Sequence, residues 1–292
     1  WLAIADITRA TSRAAAGTGA VIRSAAVLDE ESVLVAAKHL TTDRIEATFA
    51  DGRVVARREK RVGAIVCSSV PVAVQAGAEA EADAAVRRAL QADGLDLFDW
   101  SESAVALRSR LALLHQVVGE PWPSMSDDAL LDRLDEWLAP EMSALAAGKP
   151  VSKIDLTSAL RRLLPWPEAV AFDELAPERL RVPSGAMIRV TYSPHDDVNA
   201  SAVVAVKLQE CFGMLESPRI AGGRVPVVFH LLSPGGHPLA VTSDLASFWA
   251  GPYAQVRAET RGRYLKHPWP EDPYTAVATA KTNRRLAAET GD

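Results

Sequence analysis

PRIAGGRVPVVFHLLSP, residues 218–234, decides how the last third of the chain is read. Residues 227–232 form a short apolar run, bounded by Gly222-Gly223 before it and Ser233-Pro234 after it, as in a buried strand. His230 lies inside that run between Phe229 and Leu231, so the expectation is a packed histidine with one satisfied nitrogen. Working outward, residues 180–182, 187–192 and 239–241 also read as strands. Residues 203–212, 244–249 and 253–264 read as helices, the first ambiguously because it opens on β-branched valines. The expected fold class here is a mixed α/β domain over residues 176–275. Beyond Pro273 the chain is polar and aperiodic, so residues 276–292 are expected to be a flexible tail.

Residues 73–175 read as a helical region. Residues 79–92 are Ala-rich at helical spacing and Gly94 ends them. Ser101 and Ser126 are suitable N-caps for helices reaching Val118 and Leu138. A further helix from about Asp155 is stopped by Pro165 and Pro167. Residues 1–72 read as β, with Asp51-Gly52 between extended segments as a hairpin turn and residues 30–39 as a short helix. About five strands and one short helix suit an OB-like β-barrel. The overall expectation is an α+β multidomain chain.

The 292 residues are 48% hydrophobic and 24% charged, ordinary values for a globular protein. No apolar run approaches the roughly 18–20 residues of a membrane span. The chain opens on Trp1 within strand-like sequence, which suggests a piece of a larger polypeptide. Cys67 and Cys211 both lie in apolar segments, so two buried free thiols are expected, and so sparse a use of cysteine fits a reducing cytoplasm. Charge is segregated. Between Ala73 and Ala147, 5 Arg face 14 Asp and Glu, a local −9 that leaves +4 elsewhere in a chain of net −5. A polyanion would be repelled by the middle and tolerated by the ends.

No catalytic constellation assembles. A phosphate-cradling Gly-x-x-x-x-Gly-Lys-Ser/Thr loop is absent, and Gly17-Thr18-Gly19 and Gly222-Gly223 read as turns. His195-Asp196-Asp197 could chelate a metal, but its Pro and Asn neighbours suit an exposed loop better, so no metal site is expected. Ser184 and Ser233 lie in no nucleophile elbow. Two basic groups remain. Arg53, Arg57, Arg58, Lys60 and Arg61 flank the Asp51-Gly52 turn, where they could bind a single strand or form the solvated face of an edge hairpin. Arg257, Arg261, Arg263, Lys266 and His267, interleaved with Tyr264 and Trp269, could clamp phosphates and stack bases, or pack a Pro-rigid strap.

PRIAGGRVP (218–226), HLLSP (230–234), TSDLASFW (242–249) and RGRYLKHPWPEDP (261–273) closely resemble the C-terminal region of the bacterial ATP-dependent helicase family HrpB, of DEAH type. The likeness runs upstream through LPW (164–166), DELAP (173–177), VPSG (182–185) and AVKLQECFG (205–213), and more weakly through WLAP (137–140) and DGRVVARR (51–58). It implies a tail, from an OB-like domain onward, of a motor that binds ATP and Mg in domains outside this chain. The implied partners are single-stranded RNA and the motor domains of the same polypeptide, with a separate protein partner as the alternative. No Asp-Glu-x-His box occurs, so this part is expected to be non-catalytic and to hold no cofactor.

Overall fold

The computed structural model describes residues 1–9, 20–74 and 77–289. Gly17-Thr18-Gly19 lies outside the described residues. The chain divides into two compact units, Trp1–Leu97 with Met142–Ile154 and Phe98–Glu141 with Asp155–Asp292.

In the first unit β1 (Leu2–Arg9) and β2 (Ala20–Val27) form an antiparallel hairpin with Leu2 opposite Val27. Helix α1 (Glu30–Ala36) begins at Asp29, whose Oδ1 accepts from the Ser32 amide at 2.7 Å. β3 (Thr41–Ala50), β4 (Arg53–Val62) and β5 (Ile65–Val72) follow as a three-stranded meander. Ala50 pairs with Arg53 across a two-residue turn in which Asp51 and Gly52 have φ of 50° and 71°, the left-handed pair that the hairpin reading requires. Helix α2 (Glu79–Asp93) lies against β3 and β4, burying Ala82, Ala85, Val86 and Leu90 with Ala47, Val54 and Ala56. The five strands and short helix are present. Among the described residues, however, they hydrogen-bond as two separate sheets, β1-β2 and β3-β4-β5, with α1 and a 3₁₀ turn between them in sequence. The helical region expected from residue 73 is therefore divided, with α2 completing the first unit.

The second unit opens with α3 (Glu102–Val117), N-capped by Ser101 through the Ala104 amide. The helix expected from Ser126 to Leu138 is two short ones, α4 (Asp127–Asp132) and α5 (Leu134–Trp137), broken at Arg133. Fully buried Trp137 closes the break by donating its indole N–H to the Leu130 carbonyl at 2.9 Å. α6 (Ala139–Ala146) belongs from Met142 onward to the first unit, and from Asp155 the second unit resumes with α7 (Leu156–Arg161) and α8 (Phe172–Leu175).

A sheet follows, in the order β11-β10-β8-β7-β6, built from β6 (Arg179–Arg181), β7 (Met187–Tyr192), β8 (Ala202–Lys207), β10 (Val225–Leu232) and β11 (Pro238–Thr242). The two-residue β9 (Arg219–Ile220) pairs with the start of β10. β8 and β10 run parallel and the other pairs antiparallel. β8 corrects the helix expected at 203–212. The valines at 203, 204 and 206 prefer the pleated surface, and only residues 208–211 turn, as 3₁₀. His230 is a second correction. The period-two pleat buries Phe229 and Leu231 and turns His230 out to solvent. Cys67 is a third: β5 is an edge strand with its outer face uncovered, so this thiol is exposed, while Cys211 is buried.

Two helices and a strap complete the unit. α9 (Leu245–Ala250) is capped by Asp244, and α10 (Pro252–Thr260) has Pro252 in its first turn. Phe212, Phe248, Trp249 and Tyr253 pack as a tilted and edge-to-face cluster. The segment expected as a tail from residue 276 is tied back through its described residues. The Thr279 amide donates to the Gln209 carbonyl at 2.9 Å, Thr279 is buried, and α11 (Asn283–Glu289) follows.

Candidate nucleic-acid interface

The first basic group sits on β4, and its cations differ in how far they are committed. Arg57 donates to Ser69 Oγ at 2.8 Å and to the Ser69 carbonyl at 2.9 Å on the neighbouring strand. Arg58 makes a two-pronged pair with Asp43 at 2.8 and 3.0 Å, and this hydrogen bonding holds the Asp43 carboxyl below its ordinary range. Arg61 pairs with Glu59 and Glu46. Arg53 and Lys60 are exposed and form no salt bridge among the described residues. This pattern is a cross-strand ladder with cations opposite carboxylates. It leaves two of the five side chains available to a phosphate.

The second group lies on α10 and the strap after it. Arg257 is held by the Trp269 carbonyl at 2.9 Å and by Glu271 at 3.1 Å. Trp269 is half-buried and donates its indole N–H to the Tyr264 carbonyl at 3.3 Å. Burial, then the nearby Lys207 charge, pushes the His267 pKa down, which disfavours its charged form. Arg261, Arg263 and Lys266 are exposed without a salt bridge among the described residues, and Arg263 lies 5.7 Å from the Tyr264 ring centroid. The group thus separates into a packed strap and three solvated cations.

His195 occupies a loop after β7, with Nε2 3.8 Å from Asp127 Oδ1. No cluster of His, Cys, Asp and Glu suited to a metal is present among the described residues. A cleft of about 770 Å³ in the second unit is lined by Arg110, Arg161, Arg179 and Arg189, none of which belongs to either basic group. These arginines form no run in the sequence. They meet only because α3, α7, β6 and β7 border one cavity.

Residues 137–273 match the family model described as ATP-dependent helicase C-terminal. Over 244 residues, 83% of this chain, the sequence is 36% identical to the ATP-dependent RNA helicase HrpB of Escherichia coli strain K12. The chain belongs with the C-terminal region of the HrpB helicases. It spans 29% of the length of that HrpB relative. The crystal structure of the E. coli DExH-box NTPase HrpB is similar at a TM-score of 0.65 and 32% identity, across 96% of this chain and 34% of that one. The crystal structure of the E. coli DEAH/RHA helicase HrpB gives a TM-score of 0.56 at 33% identity, across 79% and 29%. The span matched by the HrpB family model includes the α10 group and Arg161, Arg179 and Arg189 of the cleft, and it leaves out Arg110 and the β4 group.

Proposed function

We propose that this chain is the non-catalytic C-terminal accessory region of a cytoplasmic ATP-dependent RNA helicase and that it contacts single-stranded RNA. The observation that carries this reading is the 36% identity to an ATP-dependent RNA helicase over 83% of the chain. Residues 1–72 serve as its OB-like module. Its strand faces and the exposed Arg53, Lys60, Arg261, Arg263 and Lys266 meet phosphates through charge. ATP and Mg belong to motor domains of the longer protein. The residues present here do not fit them, since neither a phosphate-binding loop nor an Asp-Glu-x-His box occurs.

Fluorescence anisotropy with a labelled oligoribonucleotide tests the reading. Weak binding at low salt is expected, falling with a slope of about −0.7 per phosphate contact in log K against log salt. Failure to bind, together with unchanged RNA affinity of the whole helicase after Arg53, Lys60, Arg261 and Arg263→Ala, rejects it.

One observation favours a second reading, a protein-docking role toward the motor domains. Leu2, Ile4 and Ile7 on β1 and Val21, Ile22 and Val27 on β2 are all exposed, Val27 by 83%. A hairpin this apolar on its surface suits contact with another protein. Co-purification with separately expressed motor domains, resistant to ribonuclease and lost on Ile4→Lys, supports this reading. Loss of the association on ribonuclease treatment removes it.

A further inference from the structure

We infer that the arginine cleft of the second unit is a binding site for single-stranded RNA, with phosphates on Arg161, Arg179 and Arg189 and a base stacked on Trp166. This deepens the proposed function and rests on its reading that the region meets a single strand. It assigns the contact to residues outside both basic groups described above.

Arg110 forms the floor of the cleft and is fully committed. It is 4% exposed and donates to the Ala176 carbonyl at 2.6 Å, to Asp173 at 2.5 Å and to Glu178 at 3.0 Å, with its guanidinium 4.2 Å from the Phe172 ring centroid. Asp173 and Glu178 share the single Arg110 charge, so with Glu102 the lining sets three carboxylates against four arginines, a net +1 carried by the exposed Arg161, Arg179 and Arg189. The other three arginines are exposed and weakly held. Arg161 makes no salt bridge among the described residues. Arg179 reaches the Met187 carbonyl at 3.3 Å, and Arg189 approaches Glu102 at 3.4 Å with both side chains largely in solvent. A pair that exposed contributes little, so an arriving phosphate replaces it readily. The planar guanidinium suits a phosphate because two parallel N–H groups can meet two oxygens. Ser101, Ser103 and Thr157 add hydroxyls linked at 3.0 and 2.9 Å from the start of α3 to α7, a donor row for phosphate or 2′-hydroxyl oxygens.

Trp166 supplies the second, independent observation. Trp122, Trp137 and Trp249 are at most 4% exposed, whereas Trp166 is 75% exposed. It stands between Leu164 and Ala169, both of which line the cleft. No packing explains so large an exposed ring. Trp166 is not itself a lining residue, but it lies in the segment that joins two lining positions. An exposed aromatic ring at the rim of a cleft with three exposed guanidinium groups is a combination by which single strands are held, with stacking on the bases and charge on the backbone. At about 770 Å³ the cavity has the dimensions of a small-ligand site. It can take a short stretch of strand, and a duplex offers no free base face to Trp166.

The test measures binding of labelled oligo(U) RNA to the full 292-residue chain at low salt. It compares the wild type, Arg161→Ala/Arg189→Ala, Trp166→Ala and Arg261→Ala/Arg263→Ala. All the substituted side chains are exposed, so equal thermal midpoints are expected. Roughly tenfold or greater weakening in the cleft double variant and in Trp166→Ala, with a smaller change in Arg261→Ala/Arg263→Ala, supports the assignment. Wild-type binding that survives both cleft variants overturns it and leaves the proposed function standing. A wild type that binds no RNA overturns the assignment, and the proposed function falls with it only when the whole helicase also keeps its RNA affinity in the variants named above. Equal displacement of the RNA by a polyglutamate peptide also overturns it, in favour of a site for acidic peptides.

Discussion

Arg257 donates from Nε to the main-chain carbonyl of Trp269 at 2.9 Å. That contact, with Tyr253 Oη donating to the Pro270 carbonyl at 2.8 Å, binds the Trp-Pro strap to α10. Arg257 and Arg261 lie four residues apart and look alike in sequence, but one is part of the packing and the other is solvated. Arg257→Ala should destabilise the fold by about 1–2 kcal/mol, and Arg261→Ala by less than about 0.5 kcal/mol, in urea unfolding. RNA affinity should change in the opposite order.

Arg110 is the strongest single tie between α3 and the 173–178 segment. Its carboxylate partners are mostly exposed, Asp173 by 86% and Glu178 by 73%, so they return to water when it is removed. The lasting cost of Arg110→Ala is the unsatisfied Ala176 carbonyl and the lost stem packing, about 1–3 kcal/mol. Asp173→Asn and Glu178→Gln should each cost less than about 1 kcal/mol in the same measurement.

Gly52 has φ of 71°, and a Cβ there would lie 3.0 Å from Val151 Cγ2. Gly52→Ala therefore meets both backbone strain and a crowded neighbour within the first unit. A loss of about 1 kcal/mol or more is expected, read as a lower thermal midpoint.

The His195 pKa lies below its ordinary value, through burial first and then the neighbouring Arg108 charge. The unfolded chain thus binds the proton more readily than the folded one. Stability from neutral His195 is fully present above the unfolded pKa of about 6.5 and is lost as pH falls through the folded value. Unfolding midpoints should fall as pH drops below about 6.5, and His195→Gln should flatten that dependence while the half-buried His267 retains its share.

The local elements were the most legible part of the sequence. Asp51-Gly52 fixed the β3–β4 hairpin because few other residue pairs tolerate two left-handed conformations. Gly94 and Ser101 marked the end of α2 and the start of α3 by the same kind of local chemistry. Long-range assembly was not legible. Composition cannot say that α2 covers β3 and β4, nor that β8 lies parallel to β10, because both follow from which apolar faces find each other. The candidate site divided in the same way. Runs such as Arg57-Arg58 stand out in a sequence but are largely spent on cross-strand partners. Arg161, Arg179 and Arg189 stand far apart in the chain and converge only in the folded cleft. The one local signal was Trp166 in a Leu-Pro-Trp-Pro turn, an aromatic residue left 75% exposed.

Photo-crosslinking of the full chain to 4-thiouridine RNA, with the attached peptides identified by mass spectrometry, tests the central claim most directly. The account predicts RNA attached within residues 157–192, at Trp166 above all, with weaker attachment near Arg261–Lys266. Attachment confined to other parts of the chain, or none above that given by duplex RNA, would contradict it.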